Sequence, residues 1–378
     1  HPPPLTTPLD TGELAMPLAD PIRFARHVIA VLTALAAVLL AGCSSSTDAA
    51  DPAPTSDAAP RGFTVVDDQG RELSFDAPAE RAVVIGSFNV DLALALGARD
   101  QIVGIDTKTI KELNYANFSE DLSVGANGTE LNYEAIVGKD PDVVFIYRNH
   151  DWAEAAEQLE KFDIPVVALS TWVFSEWDKS IDLLATVLGR QQQAEAVHKF
   201  TTDIGDLLSR TKDVTPLPTY YEDSKGATTG AEGGKNFALQ AAGVRNIFGD
   251  TPGNTIDSDP AAVLTADPGL IVVETSNTYG GSAQDVFASK ADELLARPGW
   301  TDLAAVRDGK LYLYNAWAFD IAGNQITPLF YAKWAYPDLY EDVDPFDFVG
   351  RWAHDFIGAK DFNPDDGYVY RVDNADRG

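Results

Sequence analysis

The chain has 378 residues, more than the roughly 250–300 at which a single hydrophobic core stops growing, so two lobes are expected. Apolar residues at 45% and aromatics at 10% supply enough surface to bury, which excludes a wholly disordered chain. Lys and Arg number 28 against 58 Asp and Glu, and the resulting charge of −30 argues against nucleic-acid binding, while a single cysteine, Cys43, excludes an intramolecular disulfide or a polythiolate zinc site. From the N-terminus, Arg23, Arg26 and His27 precede an apolar run over residues 28–40. That run is shorter than the roughly 20 residues needed to span a bilayer and reads as an export signal, so residues 1–42 are taken as a signal with an upstream extension. Residues 44–62 are rich in Ser, Asp, Ala and Pro, cannot offset their ordering entropy by burial, and form a tether reaching on the order of 25 Å.

Residues 63–75 alternate around Asp68-Gln69-Gly70 and predict a hairpin. Short β-branched runs follow at 82–85, 102–105, 143–147 and 166–169, each trailed by helical pattern. Continuous apolar strands of this kind belong to a parallel sheet covered on both faces. The first helix is expected to start with Asn89 as its N-cap and to stop at Gly97. Residues 175–212 are the longest helical stretch, broken only at Gly189-Arg190, and 191–212 would extend roughly 33 Å, enough to cross between lobes. After Pro216 and Pro218 the alternation resumes, with strands expected at 219–222, 270–274 and 311–314. An internal echo accompanies it: EAIVGKDPDVV at 134–144 lines up with AAVLTADPGLI at 261–271, and LGARDQIVG at 96–104 with AGVRNIFG at 242–249. The expected organisation is a first α/β lobe over 63–174, a bridging helical segment over 175–214 and a second lobe over 215–378.

In open parallel sheets, ligands sit beyond the carboxyl ends of the strands. The candidates are therefore 86–89, 106–108, 147–150 and 170–172 in the first lobe, and 221–222, 275–279 and 315–317 in the second. Tyr147-Arg148-Asn149-His150 is the richest, combining an aromatic face, a fixed cation and a possible metal ligand. The planar fork of Arg148 suits the oxygens of an anionic ferric chelate, with Lys108 adding positive charge. Trp172 and Trp317 offer flat apolar walls, and Phe88, Tyr221 and Tyr279 complete the candidate lining. Haem would need an axial ligand, for which His150, Tyr147 and Tyr221 are available. A small oxyanion such as molybdate would draw on helix N-termini and hydroxyls, among them Ser87, Thr107 and Thr228-Thr229-Gly230. A dedicated protein metal site is not expected, because only His150, His198 and His354 follow the signal and they are well separated.

The stretches FTVVDDQGRELSFDAPAERAVVIG, LGARDQIVGID, LNYEAIVGKDPDVVFIY, RPGWTDLAAVRDGKLYLYN and YAKWAYPDLYEDVDP, in this order, resemble the periplasmic substrate-binding proteins of iron-siderophore, haem and cobalamin ABC importers. The resemblance implies an α/β fold of two Rossmann-like lobes with central parallel sheets, bridged by one long α-helix and holding ligand between them. LAGC at 40–43 resembles the bacterial lipobox, which implies that Cys43 becomes a lipidated N-terminus mooring the protein to the outer face of the cell membrane. Family members dock on a permease through one acidic residue per lobe. Glu134 falls on the first position, whereas the second holds Ala261, leaving Asp257 or Asp259 as substitutes. The function implied is delivery of an iron(III) chelate of siderophore type to an ABC permease, with no resident cofactor; haem, cobalamin and molybdate remain as ligands. Readings of another class are an extracytoplasmic hydrolase or a scaffold lipoprotein, and the chain carries no GxSxG, HExxH, GxxxxGK[ST] or GxGxxG motif to favour an enzyme.

Overall fold

The first sheet is built from β1 (Ala82–Val84), β2 (Ile102–Gly104), β3 (Val143–Tyr147) and β4 (Val166–Leu169), in the order β2-β1-β3-β4 with every pair parallel. Its strands read as unbroken apolar runs because both faces are covered. Val83, Val144 and Ile146 enter one core, and Val84 and Phe145 the other. Helices α1 (Ser87–Ala95) and α2 (Thr107–Glu112) follow β1 and β2, and α3 (Tyr133–Gly138) precedes β3. These assignments come from a computed structural model that describes residues 62–373; the export signal, Cys43 and the tether up to residue 61 lie outside the described residues.

The second sheet comprises β5 (Leu217–Glu222), β6 (Val244–Asn246), β7 (Leu270–Ser276) and β8 (Leu311–Asn315), ordered β6-β5-β7-β8 and parallel, with β9 (Val369–Arg371) antiparallel on the outer edge. Between the sheets run α4 (Trp177–Leu188) and the bridging helix α5 (Gln191–Leu208). Gly189, at φ 67°, ends α4 in the left-handed conformation that a side chain resists. The α5 helix has 18 residues, about 27 Å at 1.5 Å each, and ends at Leu208 rather than running on to Lys212, because Ser209–Thr211 tightens into a 3-10 turn. It buries Ala194, Val197, Phe200, Ile204 and Leu208, one face of a 3.6-residue period.

The two sheets share one strand order, so the internal echo is an architectural duplication. Helix α6 (Pro260–Ala266) stands before β7 as α3 stands before β3, and each has a side-chain cap, from Asn132 to the Ala135 N–H at 3.0 Å and from Asp259 to the Ala261 N–H at 2.9 Å. In both copies the Asp of the Asp-Pro pair turns the chain with positive φ, 48° at Asp140 and 40° at Asp267. The following proline excludes the right-handed helical alternative there. A single apolar core joins the lobes, running from Val84 and Phe145 through Trp177 and Phe200 to Val272 and Tyr314. Close-packed side chains of this kind resist sliding, so only small relative motions of the lobes are compatible with it.

Candidate functional site

The order β2-β1-β3-β4 makes the chain leave β1 toward one side and return at β3 on the other, opening a crevice beyond their carboxyl ends. Gly86 sits at its floor with φ 96°, and a Cβ there would lie 2.4 Å from the Tyr147 ring. Only glycine permits that approach. Its N–H donates to Asp106 Oδ2 at 2.9 Å, while Asp106 Oδ1 caps α2 by accepting from the Thr109 N–H at 2.9 Å. The chain therefore enters α1 at Ser87, two residues before the expected cap. Asn89 instead lies inside the helix, donating to the Ile85 carbonyl at 2.8 Å and accepting from Thr171 Oγ1 at 2.7 Å.

Around this floor lies a groove of about 370 Å³ lined by Ser87, Lys108, Asn127, Thr129, Tyr147 and His150, among others. The Tyr147 hydroxyl accepts from the Phe88 N–H at 2.7 Å, and burial pushes the phenol's pKa well above its ordinary value. His150 meets the Tyr147 ring edge-on at 5.0 Å, and Trp172 does so at 4.8 Å. Burial lowers the His150 pKa, which keeps the imidazole neutral at pH 7, and its Nδ1 has no hydrogen-bond partner among the described residues. Lys108 is exposed and stands 3.5 Å from Glu112.

A second cavity, about 60 Å³, lies between the lobes. Ser87, Phe88, Asp91, Glu112 and Leu113 face Asn277, Trp317, Asp320 and Ile321 across it. Ser87 and Glu112 border both cavities, so the groove and the seam cavity adjoin. The corresponding crevice of the second lobe, about 460 Å³ and lined by Ser224, Glu274, Thr275 and Lys290, shares no lining residue with either. Behind Asp320 stand Lys235, which donates to it, and Glu274, which accepts from Tyr221 Oη at 3.1 Å. Burial raises the Glu274 carboxyl to about 7, partly offset by Lys235.

Asp91 ties the seam together. Its Oδ2 accepts from the Trp352 indole N–H and from the Ala322 N–H, both at 3.1 Å and both from the second lobe. Ala322, Gly323 and Asn324 all have positive φ, and this unusual turn is further held by Asn324 Nδ2 on the Trp172 carbonyl and Gln325 Nε2 on the Phe174 carbonyl, each at 3.2 Å. Burial raises the Asp91 carboxyl to about 7 against the opposing effect of its two donors.

Of the residues singled out from sequence, Phe88, Lys108, Tyr147, His150 and Trp317 line one or other of these adjoining cavities, with Trp172 and Tyr279 meeting the rings of Tyr147 and Trp317 edge-on. Arg148 lines neither cavity; its carbonyl accepts from Gln69 Nε2 at 3.3 Å on the hairpin side. Tyr221 is buried in the core behind Asp320. Glu134 and Asp259 are exposed on the equivalent helices α3 and α6. Sequence reasoning missed Asp91, Glu112, Asn127, Thr129 and Asp320. The visible cues were a lone carboxylate inside the apolar run Val90-Asp91-Leu92-Ala93-Leu94 and the turn dipeptide Asn127-Gly128.

Known proteins share this architecture. Residues 83–317 match the family model described as periplasmic binding protein. The molybdate-binding protein MolA of Haemophilus influenzae is 25% identical over 347 residues, covering 83% of this chain and 93% of that protein. The ABC transporter substrate-binding lipoprotein YvrC of Bacillus subtilis is 25% identical over 74% of this chain and 86% of its own length. Among solved structures, the TroA-like periplasmic binding protein FepB of Veillonella parvula superimposes with a TM-score of 0.68 at 19% identity, over 82% of this chain and 99% of that one. All three are binding proteins rather than enzymes. With two duplicated lobes, a bridging helix, a groove at their seam and a family match spanning most of both sheets, the chain belongs to the periplasmic binding protein family.

Proposed function

We propose that the protein is the extracytoplasmic solute receptor of an ABC importer and that its guest is a compact iron(III) chelate of siderophore type. The observation carrying this reading is the groove of about 370 Å³ at the first lobe's switch point, which adjoins the seam cavity at Ser87 and Glu112. On the same measure one water takes about 10–15 Å³, so a tetrahedral oxyanion leaves most of the groove unfilled, whereas an organic chelate occupies more of it. Among the described residues no three His, Cys, Asp or Glu side chains are grouped to hold a metal ion.

The polarity of the groove favours a chelate of low charge. Both Asp106 oxygens accept backbone N–H groups, Glu112 stands beside Lys108, and Arg148 is outside the lining. Hydroxamates, whose ferric complexes are neutral, fit this balance better than catecholates. Glu134 and Asp259 serve as the permease contacts, one on each of two equivalent helices, although Asp259 also caps its own helix. Cys43 carries the lipid anchor, a reading supported by the LAGC sequence and by the lipoprotein relative.

A second reading, binding of molybdate itself, is favoured by the MolA relative and by the N-terminus of α1, which has no side-chain cap from Gly86 and opens on the groove at Ser87, with Tyr147 taking the Phe88 N–H. Titration of intrinsic tryptophan fluorescence separates the two. One-site saturation by a neutral ferric tris-hydroxamate is expected; saturation by molybdate, haemin or cobalamin in its place would overturn the iron assignment.

A further inference from the structure

The first-lobe groove contains the only Asn-Gly pair in the sequence, Asn127-Gly128. The pair lies at the tip of a short antiparallel hairpin, Gly125–Asn127 with Glu130–Leu131, in which Asn127 faces Glu130 and Gly128-Thr129 make the turn. The Asn127 side chain is fixed there, because its Oδ1 accepts from the Thr129 N–H at 2.9 Å and from Thr129 Oγ1 at 2.7 Å. Two donors on one amide oxygen draw electron density from Cγ, as an oxyanion hole does when it prepares a carbonyl carbon for attack.

His150 completes the arrangement. Gly128 is buried, and a Cβ added to it would lie 2.0 Å from His150 Nδ1 and 2.3 Å from Cε1, so the imidazole rests against the glycine. Nδ1 is shielded from solvent and has no hydrogen-bond partner among the described residues. Burial is the largest influence on this ring and lowers its pKa; Lys108 acts in the same direction, and Asp106 and Asp151 act against it. A neutral imidazole nitrogen without a partner is a proton acceptor, and the glycine it touches carries the backbone nitrogen that follows Asn127. With no side chain at 128, that nitrogen is sterically free to close a five-membered ring on Asn127 Cγ.

We propose that Asn127 is a self-modifying site, at which the Gly128 nitrogen attacks the Asn127 side chain with His150 as the base and Thr129 supporting the oxygen. The N–Cγ bond forms as the Cγ–Nδ2 bond breaks. His150 Nδ1 takes the proton from the Gly128 N–H and returns it to Nδ2, which leaves as ammonia. Water then opens the cyclic imide at either carbonyl and leaves aspartate or isoaspartate at 127, with nothing oxidised or reduced. Conversion adds one negative charge to a lining that already holds Asp106 and Glu112, so the modified groove disfavours anionic guests. The chemistry does not depend on which guest the groove takes.

The test follows the purified full chain at neutral pH by mass spectrometry of the peptide carrying residue 127, with isoaspartate resolved by its separate elution. The same chain unfolded in guanidinium chloride is the reference. The folded protein should convert about tenfold or more faster than the unfolded chain, because only the fold brings His150 to the turn, and His150→Ala should remove that advantage. Thr129 is exposed, so Thr129→Val leaves the core untouched; it keeps the N–H donor, loses the hydroxyl and should slow conversion about fivefold or more. If His150→Ala fails to fold, Thr129→Val carries the comparison. Folded protein converting no faster than the unfolded chain, or at an unchanged rate in both variants, would overturn the proposal and leave the chelate reading standing.

Discussion

Replacing Asp91 with Asn should change how stability depends on pH, and the direction follows from the geometry. Asp91 is 3% exposed, and its carboxyl is raised from 3.8 to about 7 chiefly by burial. Between those values the folded protein keeps a proton that the unfolded chain has released. Stability therefore falls as pH rises from about 4 to about 7 and is level beyond. Three units correspond to about 4 kcal/mol at 1.36 kcal/mol each, an order-of-magnitude figure. Both seam donors converge on Oδ2, so an Asn carbonyl at that place keeps them while removing the charge. Urea denaturation followed by tryptophan fluorescence at fixed salt should show Asp91→Asn gaining on wild type by about 2.7 kcal/mol between pH 5 and pH 8, the share of the 4 kcal/mol that falls above pH 5. Glu274, also raised to about 7, adds a slope of the same sign to both proteins, so the difference between them isolates Asp91. Parallel stability profiles for the two proteins from pH 5 to 8 would refute the reasoning.

Other substitutions probe the groove and its support. Gly86→Ala combines positive φ with a clash against the Tyr147 ring and should cost about 2–4 kcal/mol in the same denaturation assay. Gly128→Ala would place a methyl 2.0 Å from His150 Nδ1, so ferric tris-hydroxamate affinity should drop about tenfold, roughly 1.4 kcal/mol, with little change in melting temperature. Glu222 is 1% exposed; burial would raise its carboxyl, but the Arg297 fork at 2.6 and 2.8 Å holds it below its usual value. The stability this pairing contributes is present at neutral pH and is lost as pH falls through the carboxylate range. Arg297→Ala leaves Glu222 with Lys290 at 3.3 Å and the Tyr220 hydroxyl at 3.0 Å, so it should cost about 1.5–3 kcal/mol at pH 7, and an unchanged denaturation midpoint there would contradict the pairing.

The strands were legible because a doubly covered parallel sheet leaves unbroken apolar runs, and the echo around the two Asp-Pro pairs was legible because each pair makes the same left-handed turn. The start of α1 was not. Asn89 has the chemistry of a cap, but the crowding of Gly86 against Tyr147, a contact between residues far apart in sequence, sets the entry at Ser87. Arg148 illustrates a different limit, since its place just past a strand was readable but its contact with the hairpin, Gln69 Nε2 on its carbonyl, joins residues far apart in sequence. Tyr220 and Tyr221 are adjacent and both buried, Tyr221 in the core shared by the lobes, so aromatic identity alone did not distinguish wall from core. Tyr115 lies in a single 3-10 turn, Asn114–Ala116, too short for periodicity to show, and its burial is visible only from Tyr279 and Trp317, which pack against it across the seam.

The central claim is that a compact iron chelate is held where the first lobe's switch-point groove meets the seam. Diffraction at the iron absorption edge, from crystals grown with a neutral ferric tris-hydroxamate, locates the metal without reference to any assumed pose. An anomalous peak in the space bounded by Ser87, Tyr147 and His150, with Trp317 opposite, is the expected result. Iron found only on the outer surface, with the groove closed by its own side chains, would contradict the account.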